Sequence, residues 1–239
     1  MQTIPPGRIV LADWIIVLIL IPALALASWL FYFMFASLGT AIFGALAVVL
    51  ANTFVALGIV GDIFGLKLSV GALLVSFAYV AGAIICIKQN RYSAIKFAYS
   101  MAMVVFASSL LFTLGMFLNT KIFDVTTLVG GMASAVALLA GLLVLMFLFS
   151  FLKAKNRHYL FSFCVSGIVA ILVDSVLFSA IYMFNGVADF VQALINMAVM
   201  FGAKAIVILV SVPLVLLISH TKVIRFPCNA ANQRLESEK

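Results

Sequence analysis

The sequence predicts an all-α, polytopic transmembrane helical bundle of about seven spans, and three observations carry that expectation. First, 67% of the 239 residues are hydrophobic and 9% are charged, with a mean hydropathy of +1.33. Soluble domains are about 45–50% apolar and about 25% charged. Second, the apolar residues fall into runs of spanning length with few turn residues inside them, which favours helices over the alternating strands of an outer-membrane barrel. Third, Lys and Arg gather in alternate connections between the runs, the pattern of a chain threaded with its basic loops on one side.

The same pattern disposes of other classes. A net charge of +7 would suggest nucleic acid in a soluble protein, but here the bases sit in short loops between apolar runs, so no nucleic-acid partner is expected. Cys86, Cys164 and Cys228 show no CxxC spacing and are odd in number, and packing is their expected role. Lys67 and Lys88 follow no GxxxxGK run. With no metal signature and no nucleophile–base constellation, the chain is not expected to be an enzyme or to hold a cofactor.

In order, residues 1–13 form a short polar start with Arg8 and Asp13, and a first span is expected over about 14–35. Within it Ala23-Leu24-Ala25-Leu26-Ala27-Ser28 resembles a signal-peptidase site, but the apolar run continues through Phe33 and the start is nearly neutral, so a retained helix is expected. After Ser37-Leu38-Gly39 a second span covers about 40–60. The Gly-rich segment 61–71, with Asp62 and Lys67, reads as a loop or as irregular backbone facing a cavity. Further spans are expected over 72–87, 97–118, 125–152, 160–184 and 191–219. The fifth of the seven opens on Gly130-Gly131-Met132-Ala133-Ser134-Ala135, small residues that let helices approach closely.

Orientation follows from the loops. Lys88, Arg91 and Lys96 share one connection, Lys153, Lys155 and Arg157 another, and Lys222, Arg225, Arg234 and Lys239 the tail, whereas the intervening connections carry Lys67, Lys121 and no base. With seven spans the three basic segments fall on one side, which places the C-terminus in the cytoplasm.

Two charges lie deep inside the last two runs, Asp174 and Lys204. An unpaired charge at the bilayer centre costs roughly 2.5–3.5 kcal/mol or more, so the two are expected to pair, either as a brace between helices or as a functional site. Asn52, Gln192 and Asn196 could hydrogen-bond across helices or toward a cavity. Pro213 removes a backbone bond and should kink the last span. Tyr79, Tyr92 and Tyr99 cluster near the first basic loop, where an interfacial aromatic belt accounts for them; stacking on a planar ligand is the sharper reading of Tyr79.

The stretch Cys164-Val165-Ser166-Gly167-Ile168-Val169-Ala170-Ile171-Leu172-Val173-Asp174-Ser175-Val176-Leu177-Phe178 is similar to the penultimate helix of the queuosine precursor transporter family, also called the VUT or YhhQ family. That helix carries a small-residue run, then Asp-Ser or Asp-Thr before an apolar segment. Lys204 and Pro213 match the family's last helix. Asn52 and the run Gly65 to Gly71 resemble its first Asn-containing helix and the connection after it, and Ala94 and Lys96 match its first basic loop. The resemblance covers roughly residues 42–219. Two departures stand out: Gly82-Ala83 and Ile87 replace a Thr-Asp pair and a later polar or acidic residue, with Asn90 where a Gly is usual, and the span at 14–35 is extra to a six-helix plan.

The resemblance implies residues 1–36 as an N-terminal extension with an extra helix, 37–220 as a six-helix transporter core and 221–239 as a cytoplasmic tail. It implies import, across the inner (cytoplasmic) membrane, of a 7-deazaguanine base or nucleoside such as preQ0, preQ1 or queuine. Asp174, Lys204, Asn52, Tyr79, Asn196 and Ser175 are then the candidate substrate-binding residues. The expected partners are a deazapurine-like small molecule, the lipid bilayer and, as one assembly, a second copy of the chain. Two other classes stay open: the substrate-binding subunit of an ATP-driven (ECF-type) vitamin importer, for which Ala23, Ala25 and Ala27 hint at a coupling surface, and a non-transporting structural subunit.

Overall fold

A peptide group in hydrocarbon has no water to bond, so an apolar run satisfies its backbone by coiling into a helix. The computed structural model describes residues 10–12, 21–56, 60–63, 66–89, 91–120, 125–155, 158–186 and 189–220. Its helices are α1 Ile21–Ala56, α2 Val70–Lys88, α3 Arg91–Thr120, α4 Val125–Ala154, α5 Tyr159–Phe184, α6 Phe190–Val210 and α7 Val212–His220. Among the described residues, five stretches are long and apolar enough to cross a membrane: Gly71–Lys88, Arg91–Gly115, Leu128–Ala154, Tyr159–Phe184 and Phe190–Ser219. The architecture is the expected all-α bundle, and the chain is a multi-pass membrane protein. The tail from 221 lies outside the described residues.

The first two expected spans meet in α1, a run of 36 helical residues. Straight, it would measure about 54 Å and hold Phe31 and Phe43 about 18 Å apart along its axis. Their ring centroids are instead 5.9 Å apart, and a Cβ on Gly39 would overlap the Phe31 carbonyl. So α1 folds back on itself next to Gly39, in two antiparallel arms that are apolar over Ala23–Phe35 and Leu38–Thr53. Residues 14–20 and 57–59 of the two expected spans lie outside the described residues.

Both ends of this hairpin lead to a small sheet that the sequence reading does not anticipate. Strands β1 (Val10–Ala12), β2 (Val60–Ile63) and β3 (Leu66–Ser69) lie side by side in that order. β1 pairs parallel with β2, Val10 opposite Val60, and β2 pairs antiparallel with β3, Asp62 opposite Lys67. A parallel pair requires a long crossover between its strands; the α1 hairpin, leaving the sheet and returning to it, is that crossover. Segment 61–71, expected as loop or irregular backbone, is therefore largely strand. Its backbone groups bond to one another, which is what lets a Gly-rich stretch lie against a membrane domain.

The bundle is organised around α2, whose residues from Gly71 to Ile85 are all buried. It touches α1, α3, α4, α6 and α7, while α5 packs between α4 and α6. The first arm of α1 joins the same core through Tyr32. The last expected span is broken: α6 stops at Val210, Ser211 is a turn, and α7 resumes one residue before Pro213. Proline has no N–H for the helix ladder, which accounts for the break.

The basic connections meet at one end. Lys88 Nζ donates to the Ser219 carbonyl at 3.3 Å, the Arg91 guanidinium lies 3.9 Å over the Phe147 ring, and Cys86 Sγ is 3.8 Å from Ser150 Oγ. Lys88 thereby satisfies a last-turn carbonyl of α7, where a cation also suits the helix dipole. The sheet occupies the opposite end, with β3 against α6.

The α1 reversal yields a test. Gly39→Ala should lower the melting temperature in detergent, at a cost of about 1–3 kcal/mol, because no flexible side chain can give way to the new methyl. Gly115→Ala, where a Cβ meets nothing within 4 Å, should leave melting unchanged.

Candidate functional site

Three polar side chains from three helices converge near the middle of the bundle: Tyr79 on α2, Asp174 on α5 and Lys204 on α6. Each lies near the centre of its span, within Gly71–Lys88, Tyr159–Phe184 and Phe190–Ser219 respectively. Lys204 Nζ donates to Asp174 Oδ2 in a salt bridge, and both residues are only 2% exposed. The pair forms because α5 and α6 run antiparallel and close together. Gly167 sets that spacing: a Cβ there would sit 3.1 Å from Cγ2 of Ile208. Two charges that would each be costly alone become one neutral, hydrogen-bonded unit.

Tyr79 does not sit in an interfacial belt. It is completely buried, whereas Tyr92 and Tyr99, which the sequence groups with it, are 66% and 54% exposed. Its phenol fits into a slot made by the missing side chain of Gly141 on α4, where a Cβ would come within 2.5 Å of the hydroxyl and 3.0 Å of the Ala170 carbonyl. Ala170 is one helical turn before Asp174, so the slot delivers the hydroxyl beside the acid. It lies within interaction range of the Asp174 carboxylate but makes no hydrogen bond of normal geometry.

Hydroxyls in apolar helices usually turn back to a carbonyl of the preceding turn. Here Ser76 bonds Ala72, Ser109 bonds Val105, Thr113 bonds Ser109 and Ser166 bonds Ser162 in that way. Ser175 and Ser179 on α5, and Ser211 at the α6–α7 break, are buried and bond to nothing in this way. Ser175 is the immediate neighbour of Asp174. Tyr79 and Ser175 thus bring unused hydrogen-bonding capacity close to the ion pair, while the buried hydroxyls of Ser28, Tyr32 and Ser162 are likewise unbonded elsewhere.

The remaining candidates lie elsewhere. Asn52 is near the sheet end of the second α1 arm, and its Nδ2 donates to the Val105 carbonyl at 3.4 Å and to Ser108 Oγ. That makes it a clasp between α1 and α3. Asn196 accepts from Gln192 Nε2 at 2.9 Å on the same helix, and it stands about 12 Å along α6 from Lys204. The structure therefore groups Asp174, Lys204, Tyr79 and Ser175, and places Asn52 and Asn196 toward the end that carries the sheet. Sequence reasoning missed Gly141 as part of the site. It also treated Gly130 only as packing, although the Tyr182 hydroxyl rests on it and the Tyr182 ring stacks on Phe178 at 4.6 Å. A glycine opposite a buried tyrosine is a pairwise feature, invisible along one chain.

No family model, curated protein or solved structure matches the chain.

The pair makes a thermodynamic prediction. Lys204→Met leaves a buried acid without its base and should cost about 3–5 kcal/mol. Adding Asp174→Asn to it should recover part of that loss. Thermal melting of both proteins in detergent checks the order; a double variant less stable than the single would contradict it.

Proposed function

We propose that the chain is a membrane transporter that imports a queuosine precursor, a 7-deazaguanine base or nucleoside, holding it at mid-membrane on Asp174 and Lys204. The observation that carries the reading is a wholly buried acid–base pair at the centre of the spans, with Tyr79 and Ser175 beside it. Ionisable groups at this depth generally mark a substrate or ion path. The likeness of the Asp174 and Lys204 helices to the queuosine precursor transporters supplies the substrate class.

The chemistry is compatible. A guanine-like edge presents adjacent N–H donors that one carboxylate accepts as a fork. In this reading Asp174 takes that edge, and Lys204 turns from the carboxylate to a ligand carbonyl. The site is neutral before and after, so no bare charge is left in hydrocarbon. The basic end, with Lys88, Arg91, Lys96, Lys153 and Lys155, faces the cytoplasm of an inner membrane by the positive-inside rule, and with it the C-terminus.

A second reading, a structural subunit in which the pair is only a brace, is favoured by the closed, hydrogen-bonded bridge. Charge reversal separates the two, since a brace accepts the exchanged pair and a ligand site does not.

In a host that depends on salvage for queuosine, the chain should restore the modified nucleoside in tRNA when queuine is supplied. Asp174→Asn, Lys204→Met and the exchanged pair Asp174→Lys with Lys204→Asp should each abolish that restoration at normal expression. Full restoration by all three would exclude the site, and full restoration by the exchanged pair alone would establish the brace. Co-purification with ATPase subunits would instead mark an ATP-driven importer.

A further inference from the structure

The closed ion pair leaves one donor unemployed. Tyr79 is completely buried, its hydroxyl has no hydrogen-bond partner, and it stands within interaction range of Asp174. Its ring cannot easily swing away, because the phenol is wedged into the gap at Gly141 and beside the Ala170 carbonyl. The base opposite is built differently: Lys204 carries its ammonium on a flexible four-carbon stem. One partner of Asp174 is free to leave and the other is fixed in place.

The groups facing the acid can be enumerated. From α6 comes Lys204, and from α2 comes Tyr79. From α4 there is nothing that titrates, since Val125 to Leu152 contains no acidic or basic residue, no Tyr and no Cys. Ser175 is on α5 itself, about 100° around the helix from Asp174. A carboxylate released by Lys204 therefore meets a phenolic O–H as its next neutral donor.

We propose that Tyr79 is the positioning residue that lets the ion pair open: when Lys204 turns to a bound solute, the Tyr79 hydroxyl donates to Asp174 in its place. The solute's own donors share the carboxylate, whose two oxygens offer about four lone-pair sites. This rests on the transport reading above and adds a second state to it. In the closed state the hydroxyl makes no hydrogen bond of normal geometry, and in the open state it prevents a bare buried carboxylate, so its worth appears mainly when Lys204 is elsewhere.

That asymmetry is measurable without any ligand. Melting temperatures in detergent are compared for the wild type, Tyr79→Phe, Lys204→Met and the Tyr79→Phe/Lys204→Met double variant. Tyr79→Phe alone should melt at or above the wild type, since it removes an unbonded buried hydroxyl. In the Lys204→Met background the same change should lower melting by about 4 °C or more, the loss of a hydrogen bond that now exists. An equal effect in both backgrounds overturns the proposal.

A second measurement covers the case in which Lys204→Met does not fold. Wild type and Tyr79→Phe are placed in vesicles of phosphatidylethanolamine and phosphatidylglycerol and assayed for exchange of tritiated queuine. The maximal rate should fall roughly tenfold or more with melting unchanged, as for a bond to a charged group made only during turnover. A wild-type rate for Tyr79→Phe overturns the role of Tyr79 while transport stands, and a rate loss accompanied by lower melting reduces it to packing. A wild-type rate for Asp174→Asn overturns both readings together.

Discussion

A charge in hydrocarbon must be accompanied, and the arrangement of α2, α4, α5 and α6 can be read as the means of accompanying two of them. Lys204 and Asp174 meet only if α5 and α6 run antiparallel at close approach, which Gly167 permits against Ile208. A brace would need no more than that. What exceeds the requirement is the polarity beside the pair: Tyr79 and Ser175, buried in apolar helices without the carbonyl bonds that Ser76, Ser109 and Ser166 make. Each such hydroxyl is an unfavourable element of the closed state. A site with spare donors and acceptors is what a protein needs if its partners change.

Electrostatics at the two ends serves a different task. Among the described residues, Asp62 and Asp189 lie at the end that carries the sheet, whereas Lys88, Arg91, Lys96, Lys153 and Lys155 occupy the other. On the basic rim Arg91 sits over Phe147 and Lys153 over Tyr159. Aromatic faces stabilise cations that snorkel from the ends of spans. The rims thus fix how the bundle sits in a bilayer, and the mid-depth pair is left free of that duty.

Much of this was legible in the sequence because membranes read composition and length. The span positions, the reversal at Ser37-Leu38-Gly39, the break near Pro213 and the depth of Asp174 and Lys204 all follow from runs and their interruptions. The burial of Tyr79 did not. α2 is apolar on every side, so its sequence gives no face, and a tyrosine within three turns of a basic loop looks interfacial. The sheet was hidden for another reason: Val60–Ile63 and Leu66–Ser69 are four residues each, and Gly61 and Asp62 are poor strand formers. Only the return of the α1 hairpin to its starting end brings β1 beside β2. Asn52 was ambiguous between cavity and clasp until its partner, Ser108, could be placed on a neighbouring helix.

In the transport reading proposed above, the neutrality of the central pair limits what it could bind. A cation on Asp174 would strand the Lys204 ammonium, and an anion on Lys204 would strand the carboxylate, each at a cost of several kcal/mol in this setting. A solute that offers donors to the acid and an acceptor to the base strands neither. Such a molecule is polar, carries no net charge and presents both kinds of group at the separation of one open ion pair. Fused heterocycles with an amide-like carbonyl next to ring and exocyclic N–H groups have that character, and so does a zwitterion that sets an ammonium on the acid and a carboxylate on the base. The complementarity of an Asp–Lys pair at this depth is compatible with the base-like solute proposed above, whose class rests on the family likeness.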